Sequence, residues 1–303
     1  MRRFSMSHVI HYTACPVCKT SPVVSVLEVK DHSVSKEVFT VASCPSCHLR
    51  LTQGVPCETA IQRYYQSDAY VSHTNTRKGL IHFLYHIVRS FTLNRKVQLV
   101  RHFTRRNTGM HLDLGAGTGA FVNAMDKAGW NTIGLEPDKG ARETAVTTFN
   151  VSIYPSDNLF QLPDKSYDAI TLWHVLEHVH QLHETVGKLS ALLSKEGKLF
   201  IAVPNYTSGD AHHYQANWAA YDVPRHLYHF SPDSMRILLQ QHGLRLLAVR
   251  PMWFDSFYVS MLSEQYKGGS VFSGVLQGLL SNVRAVLKRE RCSSLIYIAE
   301  RNS

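Results

Sequence analysis

The stretch MHLDLGAGTGAF, residues 110–121, constrains the fold of this 303-residue chain more than any other. Its apolar start is typical of a buried strand, and Gly115, Gly117 and Gly119 follow at once. Glycine lets a backbone turn sharply and lets a ligand approach closely, because it has no Cβ atom. A helical pattern comes next and stops at Gly129. The stretch therefore predicts a strand, a tight turn and a helix, which is the opening unit of an α/β fold.

The next strands predict a site for a nucleotide-containing cofactor. WNTIGLEPD ends a second strand at Glu136, 21 residues after Gly115, where a carboxylate is suited to accept hydrogen bonds from ribose hydroxyls. A third strand, VSIYP, leads to Asp157 and Asn158, a polar pair suited to an adenine edge. The glycine spacing alone also satisfies the pattern of NAD-binding proteins, so it does not choose between cofactors.

Asp113 favours one class of cofactor over the other. A carboxylate two residues before the first glycine would repel the pyrophosphate of a dinucleotide but attract the ammonium group of an amino acid. Over about residues 110–250 the whole set closely resembles the class I S-adenosylmethionine (SAM)-dependent methyltransferases. This resemblance implies an α/β fold with a Rossmann-like, mostly parallel seven-stranded sheet and helices on both faces.

The resemblance also assigns roles to residues. In that family, residues matching Asp113, Gly115 and Gly117 line the methionine part of SAM, the match to Glu136 holds the ribose, and the region matching 172–174 faces the reacting methyl group. The implied cofactor site consists of Asp113, Gly115, Gly117, Gly119, Glu136, Asp157, Asn158 and Trp173.

Four of the six cysteines form two C-x-x-C pairs, Cys15 with Cys18 and Cys44 with Cys47, separated by 25 residues. Two such pairs can place four thiolates around one tetrahedral zinc ion. Short predicted strands lie between them, so residues 1–55 are predicted to form a small N-terminal zinc ribbon with structural zinc. The alternatives are buried apolar cysteines or a single redox pair. Paired thiols at this spacing suit a reducing cytoplasm.

Residues 56–107 are predicted to form a basic helical connector or cap. Apolar residues recur at helical spacing in 79–106, and we expect two helices broken near 92–94. With a formal net charge of +9, a basic face here favours an anionic partner. Nucleic acid, a phosphorylated metabolite and peripheral contact with a membrane surface are the alternatives to a merely solvated face. The cations of the face are Arg89, Arg95, Lys96, Arg101, Arg105 and Arg106.

The segment 204–235 is predicted to form the substrate wall of a methyltransferase domain that spans 108–303. It is rich in aromatic residues and histidines, and its helix is predicted to begin at Ser231, which a proline follows. His226 and His229 are candidate catalytic bases. The same residues also suit simple packing of the wall against the sheet.

The stretch LWHVLEHVHQLHE carries four histidines and two glutamates. We expect the chain to turn here from the fourth strand into a helix, with His174, Glu177 and His178 on one helical face. Similarity to ubiquinone-type O-methyltransferases implies a divalent metal at Glu177 and His178, although His174 replaces the first glutamate of their metal motif. The alternatives are support of the cofactor loop and a catalytic base at His174 or His178. We expect His180 and His183 to face solvent.

Taken together, the motifs predict SAM-dependent methyl transfer, with O-methylation of a small or lipid-linked molecule as the first hypothesis. The wall sequence and HVLEHV resemble a branch of the family related to ubiquinone-biosynthesis O-methyltransferases. An RNA methyltransferase that uses the ribbon and the basic helices is one alternative, and a non-catalytic SAM-binding protein that recruits a partner is another. No apolar run reaches the ~18–20 residues of a membrane-spanning helix, and the start lacks a sustained apolar stretch, so we expect a cytoplasmic protein.

Overall fold

The computed structural model describes residues 9–20, 22–65 and 80–302, with side chains described from residue 92 onward in the last range. The side chain of Arg89 and the segment 66–79, both part of the predicted connector, lie outside the described residues. Among the helices of the described ranges, none is long and apolar enough to cross a membrane.

The described chain alternates strands and helices over most of its length. In chain order the strands are β1 (Val9–Ile10), β2 (Val24–Lys30), β3 (Val38–Ser43), β4 (Arg50–Thr52), β5 (Val55–Pro56), β6 (Met110–Leu114), β7 (Asn131–Leu135), β8 (Ile153–Tyr154), β9 (Tyr167–Trp173), β10 (Leu193–Pro204), β11 (Tyr228–His229), β12 (Leu244–Pro251) and β13 (Ser294–Arg301). The α-helices are α1 (Leu80–Thr104), α2 (Ala120–Lys127), α3 (Lys139–Phe149), α4 (Leu182–Leu192), α5 (Gly209–Tyr214), α6 (Pro232–Gln241), α7 (Asp255–Lys267) and α8 (Val271–Leu287).

Seven strands form the central sheet, in the order β12-β13-β10-β9-β6-β7-β8. The strands from β6 to β10 pair in parallel, whereas β13 pairs antiparallel with both β10 and β12. This confirms the expected mostly parallel, seven-stranded sheet.

Helices cover both faces of this sheet, because successive side chains of a strand point to opposite sides and both sides are apolar. The cluster beneath α1 and α2 includes Val97, Val100, Phe121, Met125, Ala169, Phe200 and Ala202. The cluster beneath α4 and α6 includes Ile170, Leu172, Val186, Leu189, Leu199, Ile201 and Leu238. The predicted start of α6 is confirmed, since the Ser231 side chain caps the helix and Pro232 is its first residue.

The expected break near 92–94 is wrong, because α1 runs without interruption from Leu80 to Thr104. Poor helix formers such as threonine and asparagine each cost only about 0.7 kcal/mol in a helix. Burial of Val97 and Val100 against the sheet outweighs that cost. Local propensity was therefore a poor guide at this position.

The N-terminal ribbon does not stand apart from the larger unit. Strands β2, β3 and β4 form an antiparallel sheet whose fourth strand is β11, contributed by the predicted substrate wall. Tyr228 pairs with Leu51, and the Thr52 amide donates to the Leu227 carbonyl at 3.0 Å. The sequence did not indicate this shared sheet, because a two-residue strand has no recognisable pattern.

A buried cation locks the ribbon to the wall. The guanidinium of Arg225, whose side chain is 1% exposed, donates to Asp31 at 3.0 Å and to Asp222 at 2.6 Å. It also donates to the Tyr64 carbonyl at 2.9 Å. Burial alone would raise the pKa of Asp31, but Arg225 and the backbone amides of residues 33–35 lower it to about 2. The hairpin between β2 and β3 is thereby held against the wall.

Arg225→Met should destabilise the protein by about 3–5 kcal/mol, because it leaves the Asp31 carboxylate buried without its cation. Urea unfolding followed by circular dichroism measures this change. The matched control is Arg236→Met, which removes an exposed Arg236–Asp233 pair and should cost less than about 1 kcal/mol. Equal effects of the two substitutions would contradict the role given to Arg225.

The same pair predicts an acid dependence. Because the folded pKa of Asp31 is depressed, its contribution to stability is complete above its unfolded pKa of about 3.9 and is lost as pH falls towards 2. Asp31→Asn should therefore flatten the dependence of the unfolding free energy on pH between about 4 and 2. An unchanged slope in that window would contradict this assignment.

Candidate active site

The carboxyl ends of the parallel strands form one edge of the sheet, which is where α/β proteins bind ligands. The glycine turn follows β6, Glu136 follows β7, and Asp157 follows β8. The histidine-rich stretch follows β9. Topology alone therefore gathers most of the predicted site residues at this edge.

The three glycines of the turn have different roles. All three have positive φ angles, which glycine adopts without strain. A Cβ atom at Gly115 would overlap the Val175 side chain, and one at Gly119 would meet the Cβ of Ala145 at 2.8 Å, so these two are required for close packing. Gly117 differs, because a Cβ there would meet nothing within 4 Å. Open space beside the backbone at Gly117 is what a bound ligand requires.

Asp113 lies buried at the end of β6, beneath this turn. The Thr171 hydroxyl donates to its Oδ1 at 2.6 Å, and His111 contacts the same hydroxyl at 2.9 Å. Burial raises the pKa of Asp113 to about 7. The carboxylate is therefore poised to gain a cationic partner, whose arrival would favour its charged form.

Glu136 is oriented by the turn itself. Its carboxylate accepts from the Gly117 amide at 2.8 Å and from the Asp138 amide at 3.0 Å, and burial raises its pKa. A carboxylate has about four lone-pair directions, so two remain for other donors. Asp157 and Asn158 lie in the short 3₁₀ helix Ser156–Gln161, where Asp157 is exposed and Asn158 is half-buried.

Trp173, at the end of β9, makes a cation–π contact with one of the cations of the predicted basic face. The Lys96 ammonium of α1 lies 4.1 Å from the centroid of the Trp173 ring, and the Phe121 ring packs edge to face with Trp173, with 5.2 Å between ring centroids. Burial lowers the pKa of Lys96, while the charges of Asp255 and Asp113 oppose that shift. The predicted basic face leaves Lys96 open to an anionic partner, a membrane surface or solvent, whereas the structure turns it towards Trp173 of the sheet. Its helical register, three residues after Leu93 and four before Val100, was the signal that it faces the sheet.

The histidine-rich stretch does not form the expected helix directly after the strand. His174 adopts a left-handed conformation with φ of 59°, and a single 3₁₀ turn covers Leu176–His178. The α-helix α4 begins only at Leu182. The expectation of one helical face was therefore wrong, although the turn does bring His174 within 3.4 Å of Glu177.

His174 carries a positive charge in this arrangement. Its Nε2 lies 2.9 Å from Asp255 at the start of α7, and its Nδ1 faces Glu177. Burial opposes the charge, but the two carboxylates outweigh it and raise the pKa of His174 to about 10. A protonated imidazole has no lone pair with which to accept a proton, so this finding argues against His174 as a catalytic base. Asp255 lies in no motif and was missed.

Glu177, His178 and His226 form a compact cluster in which Glu177 and His226 are buried and His178 is half-buried. One oxygen or nitrogen of each lies within 4.8 Å of those of the other two, and the imidazole rings meet edge to face at 4.6 Å. The Glu177 side chain is 0% exposed, and neither of its oxygens accepts a hydrogen bond from the described residues. Burial and the neighbouring His226 lower the pKa of His178 to about 4, so this imidazole is neutral at pH 7.

The tautomers of the two histidines follow from their backbone partners. The Nδ1 of His178 lies 3.0 Å from the Arg225 carbonyl, and the Nδ1 of His226 lies 2.9 Å from the Ala220 carbonyl. A carbonyl only accepts, so both Nδ1 atoms donate, and Nε2 is the nitrogen that carries the lone pair when the imidazole is neutral. Metal-binding histidines commonly show this arrangement.

The other histidines join the ribbon to the sheet. His229, predicted as a candidate base, is buried on β11, and its Nε2 contacts the Thr52 hydroxyl at 3.1 Å, so its position favours a structural role. His180 and His183 do not face solvent as expected. They contact the Pro56 carbonyl at 3.0 Å and the Pro16 carbonyl at 2.6 Å, respectively.

The four paired cysteines converge. The sulfur atoms of Cys15 and Cys47 lie 3.4 Å apart, and those of Cys18 and Cys44 lie 3.5 Å apart. Thiolates bound to tetrahedral zinc at about 2.3 Å have a similar separation. The residue after each pair, including the exposed His48, has a positive φ angle, so both loops fold alike. The donor set therefore fits one zinc ion.

Comparisons with known proteins agree with this fold. A family model described as a methyltransferase domain matches residues 88–249, more than half of the chain. The chain therefore belongs to this methyltransferase family. The sheet order identifies its class as that of the class I SAM-dependent enzymes.

Alignments with individual relatives cover a smaller part of the chain than the family model does. One from Anoxybacillus flavithermus, described as an uncharacterized methyltransferase, is 31% identical over 105 residues, or 33% of this chain and 50% of the relative. Another uncharacterized methyltransferase, from Alkaliphilus oremlandii, is 26% identical over 100 residues, or 32% of this chain and 46% of the relative. The chain thus spans about half the length of the curated relatives it matches.

A solved structure extends the likeness over more of the fold. The magnesium protoporphyrin IX methyltransferase of Synechocystis PCC 6803, solved with bound SAH, is 14% identical. The alignment covers 80% of this chain and 92% of the Synechocystis chain, with a TM-score of 0.50. At this identity the likeness establishes a common fold and nothing about the acceptor.

We expect the purified protein to contain a single zinc ion per chain, because the four thiolates converge at tetrahedral spacing. Cys44→Ser should lose most of this zinc and unfold more readily, since metal binding supplies folding energy to a small unit. Plasma mass spectrometry gives the metal content. Cys57→Ser, at a cysteine outside the cluster, is the control and should retain it. A zinc-free wild-type protein would contradict the assignment.

Proposed function

We propose that the protein transfers the methyl group of SAM to an acceptor, with the hydroxyl group of a small or lipid-linked molecule as the acceptor class. The observation that carries this proposal is the open space at Gly117, which is flanked by Glu136 and underlain by Asp113. This arrangement lies at the edge of a sheet whose family uses SAM. Membership of the family supports methyl transfer, and the acceptor class is our inference from the residues around the site.

The described residues fit the parts of SAM. Asp113 would receive the ammonium group of the methionine end, and the Lys96 ammonium beside Trp173 would receive its carboxylate. Glu136 has lone pairs free for the ribose hydroxyls, and Asp157 with Asn158 would border the adenine. The aromatic face of Trp173 would lie towards the sulfonium, since π faces attract cations. Bound SAM supplies a methyl group already activated on a positive sulfur atom.

The acceptor would then need alignment, exclusion of water and removal of its proton. His174 is protonated, so we assign it a positioning role: it pairs with the Glu177 carboxylate. The imidazoles of His178 and His226 lie beside the same carboxylate. We propose that these two residues, rather than His229, act on the acceptor as ligands of a divalent metal ion.

We further propose that Glu177, His178 and His226 hold a divalent metal ion. The buried Glu177 carboxylate faces His174 at 3.4 Å but accepts no hydrogen bond from the described residues, and two imidazoles lie beside it. This supports the proposal, because buried charges are normally paired or coordinate a metal. Three protein ligands leave positions open for an acceptor. A bound divalent ion would act as a Lewis acid that lowers the pKa of a hydroxyl group.

We propose that the four cysteines bind structural zinc and that the ribbon thereby supports the acceptor side of the site. His226 follows directly after Arg225, and Thr52 of the ribbon donates to the His226 carbonyl at 2.7 Å. The ribbon thus contacts the main chain of His226, a member of the cluster of Glu177, His178 and His226. Reduced thiolates in this role accord with the expected cytoplasmic location.

Lys96→Met should weaken SAM binding about tenfold or more, because a hydrogen bond between charged groups contributes about 1.5–3 kcal/mol. Isothermal titration calorimetry should give this loss for SAM but little change for 5′-methylthioadenosine, which lacks the amino-acid end. The control is Lys127→Met, at an exposed lysine of α2, which should bind both ligands as the wild type does. Equal weakening of both ligands by Lys96→Met would contradict the assigned contact.

Glu177→Gln should reduce divalent metal binding at least tenfold, since it removes the only carboxylate of the cluster. Titration with Mn²⁺ followed by electron paramagnetic resonance measures the affinity without any acceptor. Glu184→Gln, at an exposed glutamate of the same stretch, is the matched control. If both variants bind Mn²⁺ like the wild type, Glu177 is not a ligand, and the proposal of methyl transfer still stands on SAM binding.

A further inference from the structure

Helix α8 has the reverse of the usual pattern for a helix on the surface of a soluble domain, in which apolar residues are buried and polar residues face outward. Its buried positions are small or polar, at Gly274, Gln277, Gly278, Ser281 and Ala285. Its outward positions are large and apolar, and Phe272 is 78% exposed and Leu287 89% exposed. The outward apolar face is formed by Phe272, Leu276, Leu279, Val283, Val286 and Leu287.

Close packing fixes this orientation. A Cβ at Gly274 would lie 2.6 Å from the Met261 Cα, and one at Gly278 would lie 2.8 Å from the Phe257 Cα, so α8 and α7 meet backbone to backbone. On the same side, the Ser281 hydroxyl donates to Asp210 at 2.8 Å. Rotation of α8 to bury its leucines would push large side chains into these contacts. The close contacts with α7 therefore keep the apolar face of α8 outward.

The stretch that contains α8 and its flanks, residues 268–289, carries charges of one sign only. From residue 268 to residue 289 the sequence has no aspartate or glutamate. Arg284, Lys288 and Arg289 lie at the C-terminal end of α8 and just beyond it, and all three are exposed. An aliphatic face with cations at its border is complementary to a lipid surface that carries phosphate groups.

We propose that α8 docks this protein on the surface of an anionic lipid bilayer, with its apolar face in the interface and its C-terminal cations against the headgroups. A second copy of the chain fits less well, because the stretch from 268 to 289 offers no carboxylate to the cations of its partner. This surface differs from the basic face of α1 that the sequence suggested.

Docking through α8 would also place the candidate active site beside the lipid. Asn282 of α8 donates to the Trp253 carbonyl at 2.8 Å, two residues before the Asp255 that pairs with His174. A lipid-linked acceptor would thus reach the site from the membrane surface. That consequence rests on the proposed function, whereas the docking itself does not.

Sedimentation of the full-length protein with vesicles tests the docking. The wild type should bind vesicles of phosphatidylcholine with phosphatidylserine, and binding should fall at least tenfold on phosphatidylcholine alone or in high salt. Arg284→Gln with Lys288→Gln should weaken binding about fivefold per cation, since each contributes about 1 kcal/mol near an anionic surface.

The apolar face is tested by Leu276→Ser, Leu279→Ser and Val283→Ser together, which should abolish sedimentation while the protein still folds, because each side chain is 49–56% exposed. The matched control is Val24→Ser with Val38→Ser, at two valines of the ribbon that are each 58% exposed. This control should bind vesicles as the wild type does.

Two results would overturn the proposal. One is absence of vesicle binding, or binding that the triple variant retains. The other is a wild-type dimer in light scattering that the triple variant converts to a monomer without any vesicle binding, because a second copy would then cover the face. SAM binding measured on the same samples separates failure of docking from failure of the proposed function.

Discussion

The desolvated guanidinium of Arg225 is the interaction on which the architecture around the site depends. Its cost in a buried position is offset only if both Asp31 and Asp222 remain in place. Asp31 belongs to the ribbon hairpin and Asp222 to the wall, so the pair ties two distant segments of sequence together. The next residue is His226, and the Arg225 carbonyl fixes the tautomer of His178. Arg225 thus forms the buried ion pairs with its side chain and orients the His178 imidazole with its backbone carbonyl.

The glycine turn and the cysteine pairs could be predicted from the sequence because their patterns are local. A glycine turn between a strand and a helix has a fixed spacing, as does a C-x-x-C loop. The contacts of Trp173 and His174 could not be predicted, because they join segments far apart in sequence. Lys96 reaches Trp173 across 77 positions, and Asp255 reaches His174 across 81. The left-handed backbone conformation of His174 likewise could not be predicted from its residue type, because the same sequence is also compatible with the expected helix.

The histidines of the HVLEH stretch divide between two charge states through their neighbours. Two carboxylates keep His174 protonated, whereas burial beside His226 keeps His178 neutral. Glu177 stands between them. Burial alone would raise the pKa of its carboxyl group, but the adjacent His174 lowers it. The short turn thus carries a protonated imidazole at His174 and a neutral imidazole at His178, with the Glu177 carboxylate close to both.

Transfer of a methyl group is the central claim, and isotope transfer tests it most directly. The wild-type protein would be incubated with SAM bearing a trideuterated methyl group and with separate aqueous and lipid extracts of cells, followed by mass spectrometry. The account predicts a labelled product that forms with the wild type and not with Gly117→Val, whose side chain fills the open space at the turn. If the wild type binds SAM yet labels no compound in either extract, the claim of catalysis is contradicted.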